Sequence, residues 1–216
     1  MTEIDDSRRA PGRRTRDAVL EATRGILESD GFEALTMGAV ATRAGISLQA
    51  VHLQFGSRAE LVDALFDYLT DQEGLHDTLA PVYDAPGALA ALRAWAWHLA
   101  VFYPRLTTVA KAIARVRDID ADAARFDTTI AEKQLSICRM VAGRLDEEGR
   151  LAAPWTADMA ADMLWAFIAT DLFERVLARP DRTPEQTAED LRVVFESTFV
   201  RSAGEHHAEL ADHSGG

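Results

Sequence analysis

GFEALTMGAVATRAGISLQAVHLQFGSRAEL, residues Gly31 to Leu61, holds two short helical patterns separated by one Ala-Gly-Ile-Ser turn. Thr36 can cap the first by accepting from backbone N–H groups that a helix start leaves unpaired. Met37, Val40, Ala41 and Ala44 follow at the spacing of a buried helix face. Gly45 ends that helix, because glycine adopts the left-handed backbone that a sharp helix stop requires. Ser47 caps a second helix, Leu48 to Leu53, in which Val51 and Phe55 anchor inward while Leu48, Gln49, His52 and Gln54 stay outside. Two helices joined in this way make a helix-turn-helix, which offers its second helix to a partner.

The order of these residues resembles the signature of the TetR family of transcriptional regulators. Gly31, Phe32, Thr36, Val40, Ala41, Ala44, Gly45, Ile46, Ser47, Val51, Phe55, Ser57, Arg58 and Leu61 all match it in place. The resemblance implies an all-α fold of about nine helices. An N-terminal three-helix DNA-binding domain would be followed by a helical ligand-binding and dimerisation domain. Double-stranded DNA would then be met by Thr36, Arg43, Ser47, Leu48, Gln49, His52, Gln54 and Arg58. His52 departs from the family, which usually has tyrosine there. A histidine offers phosphate a ring N–H, more strongly when protonated, so DNA affinity is expected to vary with pH near neutrality.

A net charge of −12 argues at first against nucleic acid. Its distribution reverses that argument: between Ser7 and Arg58 eight arginines face five acids, a local balance of +3. An acidic remainder limits non-specific binding and turns the basic end toward DNA. With 48% hydrophobic residues the 216-residue chain can bury a sizeable core in one large domain or two small ones. Cys138 is the single cysteine, which fits a reducing cytoplasm and a packing role beside Ile137 and Met140. The first thirty residues are charged and lack an apolar segment, so no secretory leader is expected. Nor is a membrane span, since the Ala-rich run Leu89 to Tyr103 is short and broken by Arg93 and His98.

Taken in order, residues 1–12 are expected as a flexible basic arm, 13–57 as the DNA-binding domain, 58–201 as the regulatory and dimerisation domain, and 202–216 as a disordered tail. Arg13 to Ser29 reads as the first helix. Ser57-Arg58-Ala59-Glu60 is a capping-box pattern opening a helix to about Leu79, a candidate lever. Arg58 in its first turn opposes the helix dipole, which suggests a phosphate beside it. Pro81 to Pro86 reads as a linker. A helix from Gly87 to Tyr103 is expected to stop at Pro104, and Arg105 to Arg117 to form a separate one. A long helix from Ala121 to Glu148, another from Thr156 to Ala178 and a last one from Thr183 to Arg201 complete the chain.

In the family a ligand cavity lies among the middle helices. Trp95, His98, Phe102, Phe126, Ile130, Ile137, Trp165 and Phe167 are the candidates here for a small-molecule effector. Asp171 either binds a polar ligand, pairs with an arginine or faces outward. The resemblance also implies a homodimer through the last two helices, for which Ile168, Leu172, Val176, Leu191, Phe195 and Phe199 are the candidate contacts. Such a dimer spaces its recognition helices about one DNA turn, ~34 to 36 Å, and requires a palindromic operator. No catalytic motif, paired-cysteine metal site or cofactor-binding loop is present, and His206, His207 and His213 lie in a polar tail. The competing reading is a small-molecule-binding helical protein or enzyme whose helix-turn-helix is structural or contacts protein.

Overall fold

The computed structural model describes residues 3–169, 172, 175 and 181–201, with side chains from residue 13 onward. Nine α-helices are present among these residues: α1 (Glu3–Ser29), α2 (Met37–Ala44), α3 (Leu48–Phe55), α4 (Arg58–Gln72), α5 (Leu75–Tyr83), α6 (Ala88–Ala114), α7 (Ala121–Glu147), α8 (Ala157–Ala166) and α9 (Pro184–Phe199). A short 3-10 turn, Phe32–Ala34, follows α1. No described helix is long and apolar enough to cross a membrane.

Two compact units share these helices. The first takes Met1–Gly74 and Arg105–Ile130, and the second takes Leu75–Pro104 and Ala131–Gly216. The first is therefore larger than the 13–57 segment, because α4, the end of α6 and the start of α7 join it. Its core gathers Val19, Ile26, Leu27, Phe32, Leu35, Val40, Val51, Phe55, Leu61 and Leu65 with Val109, Ile113 and Val116. The core of the second is built on Leu92, Trp95, Leu99, Cys138, Val141, Leu145, Leu164, Leu191, Phe195 and Phe199.

Several boundaries differ from the sequence expectation, each for a local reason. Segment 3–12 is part of α1, and the acids Glu3, Asp5 and Asp6 stand in its first turns, where negative charge complements the helix dipole. The expected lever is two helices: Gly74 adopts φ 73 and breaks the chain between α4 and α5. Pro81 lies inside α5, so no linker begins there. Pro104 lies inside α6, which continues to Ala114 as one helix. A mid-helix proline costs about 3 kcal/mol, and burial of Phe102 on one side and Val109 and Ile113 on the other offsets it. α8 ends at Ala166, and the expected continuation to Ala178 falls largely outside the described residues. At α9 the reading holds in detail, since Thr183 and Gln186 complete a reciprocal capping box behind Pro184.

Candidate nucleic-acid interface and effector site

In the first unit α3 is held from both ends. Thr36 Oγ1 accepts from Ala39 N at 3.1 Å and starts α2. Gly45, at φ 70, donates to Thr42 O while Ile46 donates to Ala41 O at 3.1 Å. This paired closure ends α2 and turns the chain. Ser47 Oγ then accepts from Ala50 N at 3.2 Å to start α3. Val51 and Phe55 are buried, worth about 1.5–3 kcal/mol each, and the Arg16 guanidinium lies 4.7 Å from the Phe55 ring centroid.

Thr36, Arg43, Ser47, Leu48, Gln49 and His52 are exposed together in this unit. Gln54 is not: it is half-buried, with its Oε1 fully enclosed. α3 runs to Phe55, and position 54 lies one turn beyond the buried Val51. Leu53, which the periodicity did not single out, is 88% exposed. Its signal was a leucine just outside an apolar stripe with no internal partner to pack on. The His52 ring Nδ1 lies 3.0 Å from the Gly56 carbonyl and so donates to it. In the neutral ring Nε2 is then an acceptor, and only the protonated ring has a second N–H to offer a phosphate.

Two of the expected DNA contacts have partners within the chain. Arg43 reaches Ser29 Oγ at 3.1 Å and Asp30 Oδ2 at 3.2 Å, and its guanidinium covers Gly25, where a Cβ would lie 2.9 Å away. Arg58 donates from Nε to Asp122 Oδ2 at 2.8 Å and from Nη2 to both Asp120 oxygens at 2.8 and 2.9 Å. Its guanidinium also stands 5.2 Å from the Phe32 ring centroid. The same Asp120 caps α7 by accepting from Asp122 N and Ala123 N. Burial alone would raise the Asp120 carboxyl, but the Ala123 N–H and Arg58 outweigh it and hold it below the usual range. Arg58 is thus explained at the start of α4 by two carboxylates brought 62 and 64 residues along the chain.

Residues 19–65 match the family model for bacterial regulatory proteins of the tetR family. The chain carries a TetR-family N-terminal domain. The TetR domain takes in the end of α1, the 3-10 turn, α2, α3 and the start of α4. Along nearly the whole chain, solved structures share the fold at low identity. NalD of Pseudomonas aeruginosa, the secondary repressor of the MexAB-OprM multidrug efflux pump, superposes with a TM-score of 0.64 at 21% identity, covering 88% of this chain and 98% of its own. A transcriptional regulator from Saccharomonospora viridis in complex with choline gives 0.68 at 13%, covering 88% and 100%. The SmeT–triclosan complex gives 0.68 at 15%, covering 88% and 93%. A search of curated proteins finds no matching sequence.

Beyond the TetR domain, the eight effector candidates divide. Trp95, His98 and Phe102 form a continuous buried stack in the second unit. Ile137 and Phe167 pack partly buried against the same core. Phe126 and Ile130 belong to the first unit, where Phe126 meets Phe66 edge-on at 5.7 Å. Trp165 is 39% exposed. The expected dimer residues also turn inward: Ile168, Leu191, Phe195 and Phe199 are core, and Leu172 is half-buried. Val176 and Asp171 lie outside the described residues, as do His206, His207 and His213. On α8 and α9 the large apolar side chains left exposed among the described residues are Met159, Met163 and Trp165, and Val193 and Val194. Periodicity located the stripes but could not tell which edge of each faces its own core.

Proposed function

We propose that this chain is a ligand-responsive DNA-binding transcriptional regulator of the cytoplasm. It acts as a homodimeric repressor on a palindromic operator and is released by a small molecule. The observation that carries this is the TetR-family domain in which a capped, buried-anchored α3 exposes Leu48, Gln49, His52 and Leu53 together. Gln49 has the amide chemistry to pair with an adenine edge, and Leu53 the apolar surface to meet a thymine methyl group. The repressor reading is supported by NalD, and the effector by two structures of the same fold that hold choline and triclosan. Effector binding would act on DNA through α6 and α7, each a continuous helix contributing residues to both units. A coupling of ~1 to 3 kcal/mol is ordinary for such a device.

Sequencing the genomic or random DNA retained by the purified protein tests the reading. A palindromic motif is expected, with binding that falls steeply as salt rises; no enriched sequence at any salt overturns it. Gln49→Ala is expected to lose about tenfold in discrimination at its own base pair. Leu53→Ala should relax preference at a neighbouring one. A uniform loss on all sequences from both variants would remove them from base recognition.

The dimer is assigned to the exposed faces of α8 and α9 in place of the buried residues first expected there. A charge on such a face has no partner when buried between copies. The double substitution Met163→Glu and Val194→Glu is expected to give a folded monomer in sedimentation and to abolish binding to paired half-sites. A dimer that survives it places the interface elsewhere.

A further inference from the structure

The Trp95 indole is fully buried, and its Nε1–H has no acceptor among the described residues. Leaving such a donor unpaired costs about 1–3 kcal/mol, where a phenylalanine would cost nothing. Around it the second unit holds flat and polar surfaces together. His98 stacks on Trp95 at 5.2 Å with 21° between planes, and Phe102 stacks on His98 at 5.2 Å and 15°. Tyr103 stands edge-on to His98, its hydroxyl bonded to Gln134. Thr78 Oγ1 donates to Leu75 O at 3.2 Å, so it accepts from His98 Nδ1–H at 2.9 Å and leaves Nε2 as the acceptor of that ring.

We propose that the effector is a neutral, flat, ring-containing molecule with a hydrogen-bond acceptor, seated on the Trp95–His98–Phe102 stack and accepting from Trp95 Nε1–H. The proposal rests on the ligand-responsive reading and narrows it, since the fold holds a cation in one relative and a chlorinated phenol in another. Burial keeps His98 uncharged, pushing it down to about 4, and raises both Tyr103 and Cys138. A carboxylate placed on this stack would lose its hydration with no opposite charge in return among the described residues, and a cation would have only the ring faces to replace its water. α5 packs against the same core, carries Thr78 and has Val82 as its one buried side chain among the described residues. Gly74 at φ 73 precedes it and Pro81 lies within it.

Four ring compounds of similar size separate the terms on the full-length protein without DNA: acetophenone, isopropylbenzene, benzoate and benzyltrimethylammonium. Acetophenone is expected to bind about tenfold tighter than isopropylbenzene, the worth of one hydrogen bond to a buried donor. The two ions should bind at least about tenfold more weakly than acetophenone. Saturating acetophenone should shift the Trp95 indole N–H resonance, which is identified by its nuclear Overhauser contacts to the adjacent His98 ring and is absent in Trp95→Phe. That variant should also bind acetophenone and isopropylbenzene alike. An unmoved Trp95 resonance overturns the proposal even if the variant fails to fold. Equal binding of the two neutral compounds, tighter binding of either ion, or no acetophenone binding up to its solubility limit overturns it as well. An enriched operator without neutral-ring binding sinks this inference alone. Neutral-ring binding without any operator sinks the regulator reading and leaves the site standing.

Discussion

Acidification from about pH 7 to about pH 4 is expected to remove about 3 kcal/mol of stability through His98 alone. Burial lowers this imidazole from 6.5 to about 4. Between those values the unfolded chain binds the proton and the folded chain does not, so stability is complete above the unfolded value. It is lost progressively as pH falls through the window toward the folded one. The Thr78 hydroxyl oxygen already accepts Nδ1–H in the neutral ring, so it offers nothing new to the proton added at Nε2. Urea unfolding of the native protein and of His98→Phe at both pH values isolates the effect. The variant keeps an aromatic ring between Trp95 and Phe102 and should show a loss smaller by about 3 kcal/mol. Asp120 also loses its stabilising contribution in acid, being held below the usual carboxylate range, but that loss is common to both proteins and cancels. Equal acid sensitivity in the two would show that His98 is not the group responsible.

Arg58→Met is expected to destabilise the first unit by about 2 kcal/mol, the scale of hydrogen bonds between charged groups in a partly screened site. The guanidinium side chain is 30% exposed and its two carboxylates 23% and 29%, so most of the interaction survives solvent screening. Removing the arginine leaves Asp120 and Asp122 side by side without a counter-charge. Asp120→Asn keeps a side chain able to cap α7 and should cost less. In combination with Arg58→Met its further cost should nearly vanish, which a double-mutant cycle on thermal or urea unfolding measures directly. Operator affinity should fall only as far as folding does. Unchanged stability with a uniform loss of affinity on every DNA sequence would return Arg58 to the phosphate-contacting role that its place in the first turn of α4 suggested.

The Arg58 case shows where the linear reading ran out. A cation at a helix start is unfavourable in isolation, so a phosphate was the local explanation. The actual partners lie over sixty residues away at the start of α7, and no spacing rule reaches that far. Gln54 differs from its expected outward place for a smaller reason: α3 continues two residues past Leu53, which carries Gln54 toward the side of Val51 and leaves Leu53 to solvent. The last helix shows the same weakness on a larger scale. Leu191, Phe195 and Phe199 were legible as an apolar stripe, but a stripe facing its own core and one facing a second copy have the same period.

What the chain dictates without its fold is local. Thr36, Ser47, Ser57, Thr156 and Thr183 each cap the helix that follows, and Gly45 closes α2, because these effects need only a few neighbouring backbone groups. The helix-turn-helix and the all-α class follow from them. The packed structure alone decides that α6 runs through Pro104, that Arg58 is a strut on α7, that Trp95 holds a donor unanswered among the described residues beside a neutral His98, and which face of α9 remains outside. Each of these depends on burial and on partners distant in sequence, whose energies of a few kcal/mol override the local preference of a proline, a charged first turn or an apolar stripe.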